Sequence, residues 1–196
     1  MLNDSKKNKM KSALGLIFIK LKNFANICMI SNQRKYFTTS GSKIHPSFKI
    51  GTDNFFDISS TANFEIGKNV TINQSNFITV KQNAKMKIGD NTYITRATIS
   101  CLGEIEIGEN CILGEGMKIF DHNHEYTKNP FSVAKTDFNI GKVKMGNNVW
   151  TGANVIILKD VTIGDNVILG AGCVIHKDIP DNSIIINKQN HTIVNI

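Results

Sequence analysis

The chain has 196 residues, 41% of them apolar and 20% charged, with a formal net charge of +7. That length and balance suit one ordinary folded domain and exclude a chain disordered throughout. The charge is uneven: residues 1–36 hold eight basic side chains against one acid, Asp4, and the other 160 residues carry fifteen of each sign. By charge, therefore, the main domain is not a nucleic-acid binder.

Residues 12–30 form an apolar run that Lys20 and Lys22 interrupt, and no small-residue cleavage site follows, which argues against a secretory signal. A membrane span needs about 20 mostly apolar residues. The better expectation is a basic amphipathic helix over residues 1–36. Such a helix either lies on an anionic bilayer surface or packs on its own protein or a neighbouring subunit, and both remain open. The expected location is the cytoplasm, with peripheral contact at the inner face of the membrane. Cys28, Cys101, Cys111 and Cys173 form no CxxC pair, which points away from a structural zinc site or disulfide scaffold and toward reduced thiols.

Beyond that segment one phrase recurs: Ile66-Gly67-Lys68-Asn69, Ile88-Gly89-Asp90-Asn91, Ile107-Gly108-Glu109-Asn110, Met145-Gly146-Asn147-Asn148 and Ile163-Gly164-Asp165-Asn166. A degenerate sixth copy is expected at Ile50-Gly51. The intervals are 22, 19, 38 and 18 residues, a unit of 18 with insertions of 4, 1 and 20. Within a unit the step is six: Met145, Thr151, Ile157, Ile163, Leu169 and Ile175 keep one register. A helix does not keep every sixth residue on one face, whereas short strands with a bend every six residues do. The sequence thus predicts a solenoid whose aliphatic residue points inward, with Asn at a corner because Asn tolerates left-handed backbone. A second inward position, four residues after the aliphatic, holds Val70, Thr92, Cys111, Val149, Val167 and Cys173, so Cys111 and Cys173 read as core filler.

This pattern resembles the hexapeptide-repeat acyltransferases over roughly residues 44–186. The resemblance implies an all-β fold, a left-handed parallel β-helix with three hexads per coil, over residues 37–186. A tail, 187–196, follows. It also implies a homotrimer with acyl-donor sites between subunits, and acetyl-coenzyme A as co-substrate.

The excess of 20 residues lies between Ile119 and Met145 and predicts a loop at about 120–144 thrown out of one coil. It opens with Asp121-His122-Asn123-His124, two imidazoles of a type whose pKa suits proton acceptance near neutrality. Here the chain resembles the sugar O-acetyltransferases, including galactoside and maltose acetyltransferases and O-antigen or capsule-modifying enzymes. In that family the catalytic histidine ends a hexad, and counting from Leu113 and Ile119 puts His124 there, with His122 as the alternative base. Trp150 closes its own hexad facing outward and, by the resemblance, packs beside the pantetheine arm; an exposed lone Trp also fits a subunit contact. The resemblance further implies that Gly152, Ala153 and Ala171 line that arm and that Lys177 lies near the nucleotide phosphates; Arg96, whose guanidinium suits an acidic sugar, and Asp121 are the expected acceptor-binding residues. Two departures stand out: the family's closing Gly-x-Pro-Ala phrase is replaced by Ile186-Asn187-Lys188-Gln189-Asn190-His191, and the sugar-holding Asn of the galactoside enzymes has no counterpart in Tyr93–Thr98.

The implied reaction moves an acetyl group from acetyl-coenzyme A to a sugar hydroxyl, in a surface polysaccharide or its precursor, with histidine as base and backbone N–H groups stabilising the oxyanion. N-acetylation of an amino sugar is the alternative. A γ-type carbonic anhydrase would take zinc on three histidines, but His45, His176 and His191 lie far from the pair in sequence, so no metal is expected. A non-catalytic solenoid is the remaining rival.

Overall fold

The computed structural model describes residues 42–188 together with Gly15, Leu16, Lys20, Leu21 and Val194. The chain divides into two units, Met1–Tyr36 and Phe37–Ile196. The amphipathic helix expected in the first unit lies outside the described residues apart from those first four, and most of the 187–196 tail does too. Among the described residues no helix is long and apolar enough to cross a membrane.

The second unit is a parallel β-solenoid of about six coils with three sheets. The first sheet stacks Lys43–Ile44, Asn63–Ile66, Lys85–Ile88, Glu104–Ile107, Lys142–Met145 and Val161–Ile163. The second stacks Lys49–Ile50, Thr71–Ile72, Tyr93–Ile94, Ile112–Leu113, Trp150–Thr151, Ile168–Leu169 and Ile184–Ile185. The third stacks Phe55–Ile58, Phe77–Val80, Ala97–Cys101, Met117–Phe120, Ile156–Ile157 and Val174–Ile175. The chain visits them in that order, so each coil contributes one strand to each sheet.

Hexad spacing becomes vertical register. Ile78, Ile99, Ile119, Ile157 and Ile175 lie directly above one another in the third sheet, and all five are buried. Each fully buried aliphatic of this size stabilises the fold by roughly 1.5–3 kcal/mol, so stacks of like residues in three sheets supply one continuous core. Val70, Thr92, Cys111, Val149, Val167 and Cys173 are all buried, as the second inward position requires. Cys101 is buried as well, and all three of these thiols are free. The expected repeat at Ile50-Gly51 shifts by one face: Ile44 is the residue paired with Ile66, while Ile50 pairs with Ile72 in the second sheet. The phrase at residue 50 has Asp53 in place of the Asn three places on, and Asp53, at φ 58°, turns the corner between the second and third sheets instead.

The corner between the first and second sheets is an asparagine ladder. Asn69, Asn91, Asn110, Asn148, Asn166 and Asn182 all have φ between 55° and 58°, a left-handed conformation that Asn adopts more readily than most residues. Their side chains link successive coils, for example Asn148 Nδ2 to Asn166 Oδ1 at 3.1 Å and Asn166 Nδ2 to Asn182 Oδ1 at 3.0 Å. Surplus residues collect instead at the corner between the third and first sheets. The step from Ile78 to Ile88 is ten residues and that from Ile99 to Ile107 is eight, against six in a regular hexad.

The large insertion leaves from that same corner. It is not an irregular loop but an antiparallel hairpin, His122–Lys128 paired with Phe131–Ile140, here called the arm. Its strands are rich in β-formers, Tyr126, Thr127, Phe131 and Val133, around an Asn129-Pro130 turn.

Candidate active site

The arm carries the two histidines. Residues 122, 124, 138 and 140 share one of its faces, because His122 pairs with Ile140 and His124 with Phe138. His124 is exposed. Its Nδ1 lies 2.9 Å from the carbonyl oxygen of Ala134, and its ring leans on Phe138 at 4.6 Å with a 43° tilt. His122 is different: its side chain is 14% exposed, and Nδ1 lies 2.9 Å from Asp121 Oδ1. The His122 ring meets Phe138 edge-on at 5.2 Å and Phe120 edge-on at 6.4 Å.

Asp121 is fully buried. Its carboxylate accepts N–H bonds from Leu102 at 3.0 Å and Gly103 at 2.8 Å, besides facing His122. All of these contacts lie inside the wall of the solenoid. Burial, reinforced by the Asp121 charge, pushes the Cys101 thiol far up from its ordinary value; a thiol held protonated this way is not a nucleophile.

Most of the other expected site residues stand at a different corner, between the second and third sheets. Gly152 supports coil stacking there: a Cβ on it would come within 2.6 Å of the Ala171 backbone nitrogen. Ala153 and Ala171 are exposed beside it, and Gly172 donates its N–H to the Ala153 carbonyl at 2.8 Å. Arg96 lies on the same corner nearer the N-terminal coils, ion-paired with Glu115 at 3.0 Å, both about half exposed. Trp150, 52% exposed, opens the strand leading into this corner and stands in register with Ile112 and Ile168 on the outer face of the second sheet. Lys177 is exposed past Ile175, on the way from the third sheet to the first. The structure thus gathers Trp150, Gly152, Ala153, Ala171 and Arg96 along one edge and puts the histidines and Lys177 on another.

A surface depression of about 630 Å³ runs along the first sheet past Lys43, Glu65, Lys87 and Asp90, and neither histidine lines it. Among the described residues no three His, Cys, Asp or Glu side chains converge as metal ligands. His45 lies in the first coil and His176 in the last, while His191 is outside the described residues. Sequence reasoning had not singled out Ala134 or Phe138, which fix the His124 ring; the Asn-Pro turn flanked by β-formers was the signal that pairs their strand with His124.

Residues 142–177 match the family described as bacterial transferase hexapeptide (six repeats). Among solved structures, the chain is similar to the polySia-specific acetyltransferase NeuO, with 19% identity over 73% of this chain and 69% of that one and a TM-score of 0.55. It is similar to the polysialic acid O-acetyltransferase OatWY, with 22% identity over 78% and 90% and a TM-score of 0.51. A variant of AntD, an N-acyltransferase from Bacillus cereus, solved with dTDP and coenzyme A, gives 21% identity over 69% and 77% and a TM-score of 0.54. At these identities the likeness is one of fold. One six-residue unit recurs through the coils and the family match falls on those over residues 142–177, so the chain is a parallel β-solenoid built on six-residue repeats.

Proposed function

We propose that the protein is an O-acetyltransferase that moves an acetyl group from acetyl-coenzyme A to a hydroxyl of a sugar in a surface polysaccharide, of capsule or O-antigen type, or in its precursor. The observation that carries this reading is the state of His124. A carbonyl oxygen only accepts, so the bond to Ala134 requires the proton on Nδ1. The Nε2 lone pair is left on an exposed ring, where it can take a proton from an acceptor hydroxyl as that oxygen attacks the thioester carbonyl. Acetyl passes to the oxygen, and the donor sulfur leaves as the thiol.

The edge at Gly152, Ala153 and Ala171 fits the donor. It presents small residues beside the exposed Trp150 ring, which leave room for a thin pantetheine arm. Lys177 would meet the phosphates and Arg96 an acidic group on the acceptor.

Because the base and the donor edge occupy different corners, the reading includes a homotrimer in which the arm of one copy meets the donor edge of the next. Tyr93, Ile112, Trp150 and Ile184 form an exposed apolar row on the second sheet, the kind of surface that a partner covers. Residues 1–36, with their basic excess, would hold the enzyme at the cytoplasmic face of a membrane, near lipid-linked acceptors. The polysaccharide acceptor is favoured by the likeness to NeuO and OatWY, named for polysialic acid. The likeness to AntD keeps N-acetylation of an amino sugar as the second reading.

Thiol release from acetyl-coenzyme A, measured with a panel of capsule, O-antigen and nucleotide-sugar acceptors, tests the acceptor class. Turnover with polysaccharides is expected, and turnover with free thiogalactosides alone would sink that class.

A further inference from the structure

We propose that Asp121 is a positioning residue which, from inside the solenoid wall, fixes the ring of His122 and, through Phe138, the ring of His124. The proposal rests on His124 being the base. A two-stranded hairpin is marginal by itself in water, so a base carried on one needs an anchor at its root. Asp121 sits at that root, between the strand Met117–Phe120 and the arm. Its carboxylate holds the preceding coil through the N–H groups of Leu102 and Gly103, and its own carbonyl accepts the Gly141 N–H at 2.7 Å, closing the base of the arm.

Outward from the anchor, contacts run in one line. The carboxylate faces His122 Nδ1 at 2.9 Å and, accepting there, sets the proton on that nitrogen and the plane of the ring. The His122 ring presses edge-on against Phe138, and His124 leans on the same Phe138. One aromatic ring therefore touches both histidines, and each of the two has its Nδ1 tied to the protein. Asp121 is fully buried, so its influence on turnover runs through its neighbours and not through substrate.

Asp121→Asn tests this, because it keeps an oxygen for Leu102 and Gly103 while turning an NH₂ group toward His122. Nitrogen-15 NMR of the histidine rings is expected to show His122 protonated at Nδ1 in the native protein and at Nε2 in the variant. Turnover should fall on the order of 10²-fold, the scale of a small misplacement of a catalytic group, with the Michaelis constant for acetyl-coenzyme A unchanged. If the His122 tautomer does not switch, or if it switches and turnover stays native, the proposal is overturned. Should Asp121→Asn fail to fold, Phe138→Leu decides: lost turnover with the His122 tautomer intact supports the line of contacts, and native turnover overturns it. His124→Ala run in parallel separates the two claims, since native turnover in that variant removes the base itself, whereas a dead His124→Ala beside a fully active Asp121→Asn removes only the positioning role.

Discussion

The Nδ1 of His124 and the carbonyl oxygen of Ala134 stand 2.9 Å apart across the two strands of the arm, so the arm itself selects the tautomer with a free Nε2. His124→Ala should lower kcat by about 10² to 10⁴, the usual contribution of a general base, and leave the Michaelis constant for acetyl-coenzyme A unchanged. Steady-state kinetics on folded variant checks this. More than half of native turnover would discard His124 as the base.

Trp150 predicts the opposite split. Its ring lies on the second sheet beside the small-residue edge and away from the corner that carries the arm. Replacing it with Ala should raise the Michaelis constant for acetyl-coenzyme A roughly tenfold, corresponding to about 1.4 kcal/mol of lost contact, while kcat falls less. Unchanged donor affinity in a binding titration would remove Trp150 from the donor site.

His124 and the proposed donor edge stand at different corners of one chain, which makes the proposed shared site testable by mixing subunits. His124→Ala lacks the base, and Ala153→Trp would crowd the donor edge at an exposed position. Each should be inactive alone. Refolded together, they should recover partial activity, because some interfaces then pair an intact arm with an intact edge. No recovery in mixed oligomers contradicts the shared site.

The buried thiol gives a pH dependence. Burial, with the Asp121 charge behind it, raises the Cys101 pKa in the folded state from a reference of 9.0. Above that reference the unfolded thiol ionises while the folded one stays protonated, so the folded state binds more protons and stability declines as pH rises. The contribution is complete below about pH 9 and drains away at higher pH. Denaturant midpoints at increasing alkaline pH should fall less steeply for Cys101→Val than for the native protein. Equal slopes would contradict the assignment.

The hexad register made the solenoid legible in the sequence, because residues such as Ile157 and Ile175, one regular unit of 18 residues apart, stack on one another. The corner role of Asn148 and Asn166 was legible too, since few residues accept a left-handed conformation. The arm was read as a loop because its period-two pattern is weak and its strands are exposed, leaving only the Asn129-Pro130 turn as a signal. The inward bonds of Asp121 were not legible, because the sequence offers no sign that the preceding coil would turn the N–H groups of Leu102 and Gly103 toward it. Such contacts between coils depend on insertion lengths, and those are visible only once the coils are stacked.

The central claim is tested most directly by incubating the native protein and His124→Ala with radiolabelled acetyl-coenzyme A and a capsule or O-antigen polysaccharide, then treating the recovered polymer with mild alkali. The account predicts label on the polymer with the native protein only, released by alkali as expected of an ester. No transfer to any sugar, an alkali-stable amide, or equal labelling by the variant would contradict it.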